Sequence, residues 1–167
     1  MSDTTLPTPA PHVLHDWQPT SVAVVKDHAE SKRVCRAIRA AIKQCWLNAR
    51  KAIERLDEYA EARYVEGWIV SGSGALIEHG WVVNNGKIID PTLPEMVATY
   101  FPGLEFMGRR GIAAFLQTPM GREHKADPFH YAFGWGGGDS PSYQKAFREA
   151  MAYQGKVISC ASNKEGA

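Results

Sequence analysis

The stretch LIEHGWVVNNGKIIDPT, residues 76–92, decides the architecture. Two apolar, β-branched runs flank Asn84-Asn85-Gly86, and an Asn-Gly pair between such runs is the strongest short-range hairpin signal. With Asn85 and Gly86 as the two central turn residues, Asn84 faces Lys87 and Val83 faces Ile88. Continuing along the strands, Trp81 faces Asp90 and His79 faces Thr92. Opposed residues, and residues two apart, point to the same side of a sheet. His79 and Asp90 are therefore diagonal neighbours on one face, their Cβ atoms about 7–8 Å apart or somewhat less. A slip of one residue would put them on opposite faces, so their pairing depends on the turn.

Working outward, YVEGWIV (64–70) reads as another strand, separated from the hairpin by the flexible SGSG loop of 71–74. Glu66 within it is unusual, because a carboxylate in a central strand is costly unless paired. It either salt-bridges an arginine such as Arg63 or faces a pocket. Upstream, residues 27–56 carry a helical pattern with no Gly or Pro. About 30 residues is long for a globular helix, so a break is expected near 43–45, with a new helix starting at or beside Cys45. Thr20 to Val25 suits a short strand. Downstream, Pro91, Pro94 and Pro102 interrupt long elements and residues 96–121 are weakly patterned. The run GWGGG (134–138) reads as a loop, and Ser140-Pro141 opens a last helix. That helix has Tyr143, Phe147, Ala150 and Met151 on one face and Lys145 with Glu149 outside. The expectation is an α+β fold: a helix packed on an antiparallel β-sheet, as one domain over 20–160. A flexible Pro-rich arm over 1–19 precedes it, and a short tail over 161–167 follows.

Size and charge remove several function classes. The 167 residues, 44% hydrophobic and 22% charged, suit one compact core that needs no disulfide or metal. A net charge of +1 gives no electrostatic footprint for nucleic acid. The basic residues between 32 and 55 fall at helical spacing and read as a solvated face. No apolar run approaches the roughly 18 residues of a membrane span. Three cysteines, Cys35, Cys45 and Cys160, behind an N-terminus without a signal-peptide pattern, point to a reducing cytoplasm with free thiols. His124 and His130 flank Asp127 without matching a metal-ligand spacing. The glycines of 136–138 lack the Lys-Ser/Thr of a phosphate loop. No metal or cofactor is expected.

A base and an orienter on adjacent strands lack only a nucleophile. Cys45 supplies it if it heads a helix on the same side, where first-turn amides and the helix dipole favour a thiolate. His79, once protonated, favours it further. Each residue also has a plain structural role open to it. A helix cysteine is most often a small buried hydrophobe. An Asp before Pro often caps local amides in a turn. Trp81 and Trp68 read as core more readily than as substrate platforms. Cys35 lacks the sequence context of Cys45 and reads as structural.

These residues resemble the transglutaminase superfamily. Gln44-Cys45-Trp46, followed by Asn48-Ala49, is similar to its nucleophile motif. Glu78-His79-Gly80-Trp81-Val82 resembles its histidine strand, and Ile89-Asp90-Pro91-Thr92 its aspartate strand, in the family's order. The match spans about 43–93, under a third of the chain, and is most like small bacterial and phage members. Gly80 stands where Ala is usual, Lys43 where the large enzymes carry Gly, and nothing resembles their calcium sites. The resemblance implies a papain-like core with Cys45, His79 and Asp90 as a triad. It makes Gln44, Trp46, Asn48, Glu66 and Trp81 candidates for oxyanion or substrate binding. The implied activity is acyl transfer through a thioester on Cys45, from a small-molecule or peptide amide to water or an amine. Two other classes stay open: a non-catalytic binding module on the same fold, and a metal-bound hydrolase using Cys45, His79 and Asp90 as ligands.

Overall fold

A computed structural model describes residues 25–162; the expected N-terminal arm and residues 163–167 lie outside it, as do residues 20–24 of the expected first strand. In chain order the elements are β1 (Val25–Lys26), α1 (His28–Ala37), α2 (Cys45–Arg55), β2 (Arg63–Ser71), β3 (Leu76–Asn84), β4 (Lys87–Ile89), β5 (Ala98–Met107), α3 (Gly108–Gln117), α4 (Pro119–Glu123) and α5 (Pro141–Ser162). Short 3-10 turns occupy Asp57–Tyr59, Phe129–Phe133 and Trp135–Gly137. The class is α+β. Helix α5 continues two residues into the segment expected to be tail.

The five strands form one sheet in the order β1-β4-β3-β2-β5. Its main body is antiparallel, but the sheet is mixed: β1 runs parallel to β4, pairing Val25 with Lys87 and Lys26 with Ile88. The hairpin register is the one the turn dictates, with Asn84 opposite Lys87, Val83 opposite Ile88 and Val82 opposite Ile89. Asn85 and Gly86 take φ of 49° and 73°, the left-handed pair of a type I′ turn. Strand β5, unmarked in the sequence, is an edge strand. Its Pro102 sits beside a register shift opposite Glu66/Gly67, where the sheet tolerates a missing donor.

The expected break in the helical region separates α1 from α2. Two non-glycine residues there are left-handed, Arg39 (φ 51°) and Lys43 (φ 61°). Asp27 caps α1, its carboxylate accepting from the Glu30 amide.

Two cores flank the sheet. The larger joins Val34 and Ile38 of α1, Ala49, Ala52 and Ile53 of α2, Ile112 of α3 and Tyr143 of α5 to Tyr64, Val82, Ile89, Leu104 and Phe106 of the sheet. The smaller, on the opposite face, holds Val65, Ile69, Trp81, Val83 and Ile88, covered in part by Leu93, Met96 and Tyr100. In α5, Tyr143, Ala146 and Ala150 are buried, while Met151, expected on that face, is exposed.

Candidate active site

Strand β4 stops at Ile89, so β3 beyond Val82 has no ladder partner on that side. The gap is where His79, Asp90 and the start of α2 meet. The backbone of Asp90 is fixed from α1: its amide donates to Ser31 Oγ at 3.0 Å, and that hydroxyl donates to Asp27 O at 2.6 Å. The carboxylate divides its work. Oδ1 accepts from the amides of Thr92 and Leu93, each at 3.0 Å, which is the turn-capping role open to an Asp before proline. Oδ2 accepts from His79 Nε2 at 2.9 Å and from the Tyr100 hydroxyl at 2.7 Å. One side chain thus caps the turn and also bonds the imidazole.

His79 is 2% exposed and lies nearly parallel to Trp81, ring centroids 6.3 Å apart, with Tyr100 on its flank. Burial is the strongest influence on the imidazole and favours its neutral form. Hydrogen bonds to Asp90 and to Cys45 outweigh it and raise its pKa to about 9. Asp90 shows the converse. Burial pushes the carboxyl up, but the His79 bond and charge, Lys26 and the Leu93 amide pull it down to about 2. Since Nε2 is committed to Asp90, Nδ1 is the nitrogen left for Cys45.

Cys45 is the first residue of α2 and is 7% exposed. The N-cap residue, Gln44, is exposed and makes no side-chain cap bond, so it leaves the first-turn amides uncapped. Trp46 packs directly on β3, and its Nε1, though buried, has no hydrogen-bond partner. Asn48 is fully buried and occupied: Oδ1 accepts from the Ala41 amide, while Nδ2 donates to Ala41 O at 2.7 Å and Thr92 Oγ1 at 2.9 Å. It ties the turn before α2 to the segment after Asp90 rather than facing a ligand.

Glu66 does not pair with Arg63, which instead meets Glu105 at 3.3 Å. The side chain of Glu66 points into the larger core, where four donors converge on it: the Tyr64 hydroxyl, the Phe129 amide at 2.7 Å, and the His130 amide and Nδ1 at 2.8 and 2.7 Å. His130 Nε2 lies 3.3 Å from Glu78 Oε1 but without hydrogen-bond alignment, and the ring stacks on Tyr143 at 4.6 Å. Glu66 thus anchors the 129–130 segment to the sheet, and its side chain bears on the site through His130, whose ring is 5.9 Å from that of Trp46. Trp81, 1% exposed, is core and a support for the His79 ring.

Among the described residues, no group of three His, Cys, Asp or Glu side chains is disposed to hold a metal ion. Cys45, His79 and Asp90 form a chain with the imidazole in the middle, not a convergent ligand set. His124 faces Asp127 at 3.4 Å, apart from His130. Sequence reasoning missed Lys26, Ser31, Tyr100 and His130. None belongs to a local motif, and each reaches its partners across 10 to 70 positions. No helix among the described residues is long and apolar enough to cross a membrane. Comparison with protein-family models, curated proteins and solved structures gives no match to this chain.

Proposed function

We propose that this protein is a cysteine-dependent acyl-transfer enzyme with a transglutaminase-like core, Cys45 acting as nucleophile, His79 as acid–base and Asp90 as orienter. The observation that carries the proposal is the His79 Nε2–Asp90 Oδ2 hydrogen bond of 2.9 Å on a ring whose other partner is the cysteine heading α2. In this scheme the Cys45 sulfur attacks a carbonyl carbon, and the Cys45 backbone amide at the uncapped helix start receives the oxyanion. The imidazolium gives its proton to the leaving amine as the tetrahedral intermediate collapses to a thioester. Asp90 fixes the tautomer and stabilises the imidazolium without taking its proton. Water or a second amine, deprotonated by His79, then releases the acyl group and restores the thiol.

The experiment is to trap the thioester. Wild-type protein incubated with cell extract or an amide library, quenched in acid and weighed intact, should carry a hydroxylamine-labile adduct on Cys45. Cys45→Ala should carry none. An adduct that persists in Cys45→Ala, or its absence from both proteins across broad amide libraries, speaks for a binding module on this fold.

A further inference from the structure

Asp90 Oδ2 is a crowded atom. It accepts from His79 Nε2 at 2.9 Å and from Tyr100 Oη at 2.7 Å, and Lys26 Nζ stands 3.7 Å away. The Lys26 side chain is only 6% exposed, and its ammonium donates to Leu93 O and, at 2.9 Å, to Met96 O. Its aliphatic stem comes from β1, the two-residue parallel strand whose pairing with β4 brings it alongside the end of that strand. Burying an ammonium is unfavourable, and its pKa is lowered chiefly by burial, with Asp90 opposing. A solvated lysine would avoid that cost, so its position beside the carboxylate calls for an explanation in terms of charge.

We infer that Lys26 and Tyr100 are positioning residues of the His79–Asp90 pair: by drawing on the same carboxylate oxygen that His79 uses, they weaken it as an acceptor and so loosen the proton held by the imidazole. A lone aspartate hydrogen-bonded to a buried histidine holds the imidazolium tightly, which keeps the cysteine ion-paired but makes the ring a poor acid toward a leaving amine. Every donor added at Oδ2 shifts that balance toward release. The charged and titratable groups facing His79 are Cys45 from α2, Asp90 after β4, Tyr100 from β5 and, through Asp90, Lys26 from β1. Of these, Lys26 alone brings a positive charge, which opposes protonation of the ring.

The inference concerns the titration of His79 and stands apart from the identity of any substrate. Its test is the pH titration of the His79 ring protons by NMR, with the pH dependence of Cys45 alkylation by iodoacetamide as a second readout. The proteins compared are wild type, Tyr100→Phe, Lys26→Met and Lys26→Arg, each first shown to melt cooperatively. Tyr100→Phe and Lys26→Met should each move the His79 midpoint upward by about half to one pH unit, and Lys26→Arg should restore it. Folded variants with an unmoved midpoint would overturn the inference. If Lys26→Met does not fold, Tyr100→Phe and Lys26→Arg decide it: a midpoint in Tyr100→Phe equal to wild type is fatal. Failure of the proposed function looks different. Cys45 would then alkylate like an ordinary thiol in wild type, while the His79 midpoint still responded to the two substitutions.

Discussion

Gly80 of β3 lies so close to Trp46 that a Cβ on it would stand 2.9 Å from Trp46 Cδ1 and 3.1 Å from Trp46 Cα. The contact is with the backbone at the start of α2, one residue past Cys45, so it sets how near the helix start comes to the histidine strand. The missing methyl of Gly80 leaves the room that seats Trp46.

Gly80→Ala should therefore push α2 away from β3. Overpacking of this kind costs about 1–3 kcal/mol, and the displaced residue is the neighbour of Cys45. The expected outcome is a lower melting temperature together with slower alkylation of Cys45. A variant that melts lower but alkylates at the wild-type rate would show that Gly80 serves packing alone.

The three thiols should separate by chemistry rather than by exposure. Cys160 is exposed, Cys35 half-buried and Cys45 buried, so accessibility alone ranks Cys45 last. What sets Cys45 apart is its place as the first residue of α2, beside the His79 imidazole. With a small reagent such as iodoacetamide, intact-mass labelling below pH 8 should find Cys45 modified first. Labelling in the order Cys160, Cys35, Cys45 would count against the nucleophile.

Cys45→Ala and Asp90→Asn divide role from stability. The first removes a small buried side chain and should cost on the order of 1 kcal/mol while abolishing turnover. The second keeps the shape of Asp90 but presents an amide, which favours the wrong tautomer. Turnover should fall by roughly four orders of magnitude, the scale seen when a triad aspartate is amidated in serine proteases. Because Lys26 loses its counter-charge, Asp90→Asn should also melt lower than Cys45→Ala. Equal turnover in Asp90→Asn and wild type, measured on any substrate found by thioester trapping, would remove the orienter from the mechanism.

How much of this was legible in the sequence follows from how local each signal is. Asn85-Gly86 dictates the three ladder pairs from Asn84–Lys87 to Val82–Ile89; beyond them the ladder ends, and the expected pairings of Trp81 with Asp90 and His79 with Thr92 are replaced by the side-chain bond of His79 to Asp90. The break before Cys45 showed as excess helix length. Strand β5 was hidden because Pro102 sits inside it, and only a bulge against Glu66 makes that tolerable. For Glu66 the local pattern offers an arginine such as Arg63 or a pocket, whereas the histidine that takes it lies 64 positions away. Lys26 and Tyr100 come to Asp90 from the two opposite edge strands of the sheet. No periodicity of either strand encodes that meeting.

Lys43 offers a test of strain at the helix entry. Its φ of 61° is left-handed, a conformation costing an L-residue about 1–2 kcal/mol, and it precedes the N-cap of α2. Lys43→Gly removes that strain, offset in part by the greater freedom glycine has in the unfolded chain. The net expectation is a gain of a few tenths to about 1 kcal/mol in urea unfolding, with no change in Cys45 alkylation. A loss of stability would mean that the lysine side chain makes a contact worth more than the strain.

The buried titrating groups also dictate where stability is greatest. His79 and His130 both have pKa values raised to about 9: burial opposes protonation in each, but Asp90 and Cys45 around the first, and Glu66 and Glu78 around the second, prevail. A raised pKa contributes stability that is complete below the unfolded value, about 6.5, and is lost as pH climbs through 9. Asp90, depressed to about 2, contributes stability that is complete above about 3.9 and is lost as pH falls toward 2. The melting temperature should therefore plateau between about pH 4 and 6.5, decline steadily to pH 9 and drop in acid. Cys45→Ala deprives His79 of one of its two partners, so the decline from 6.5 to 9 should be shallower in that variant while the acid limb stays in place. Thermal melts of both proteins at half-unit intervals read the two limbs separately. A wild-type melting temperature that is flat from pH 6.5 to 9 would show that neither imidazole is held in its charged form, and with it the ion-paired ground state of the site would have to be abandoned.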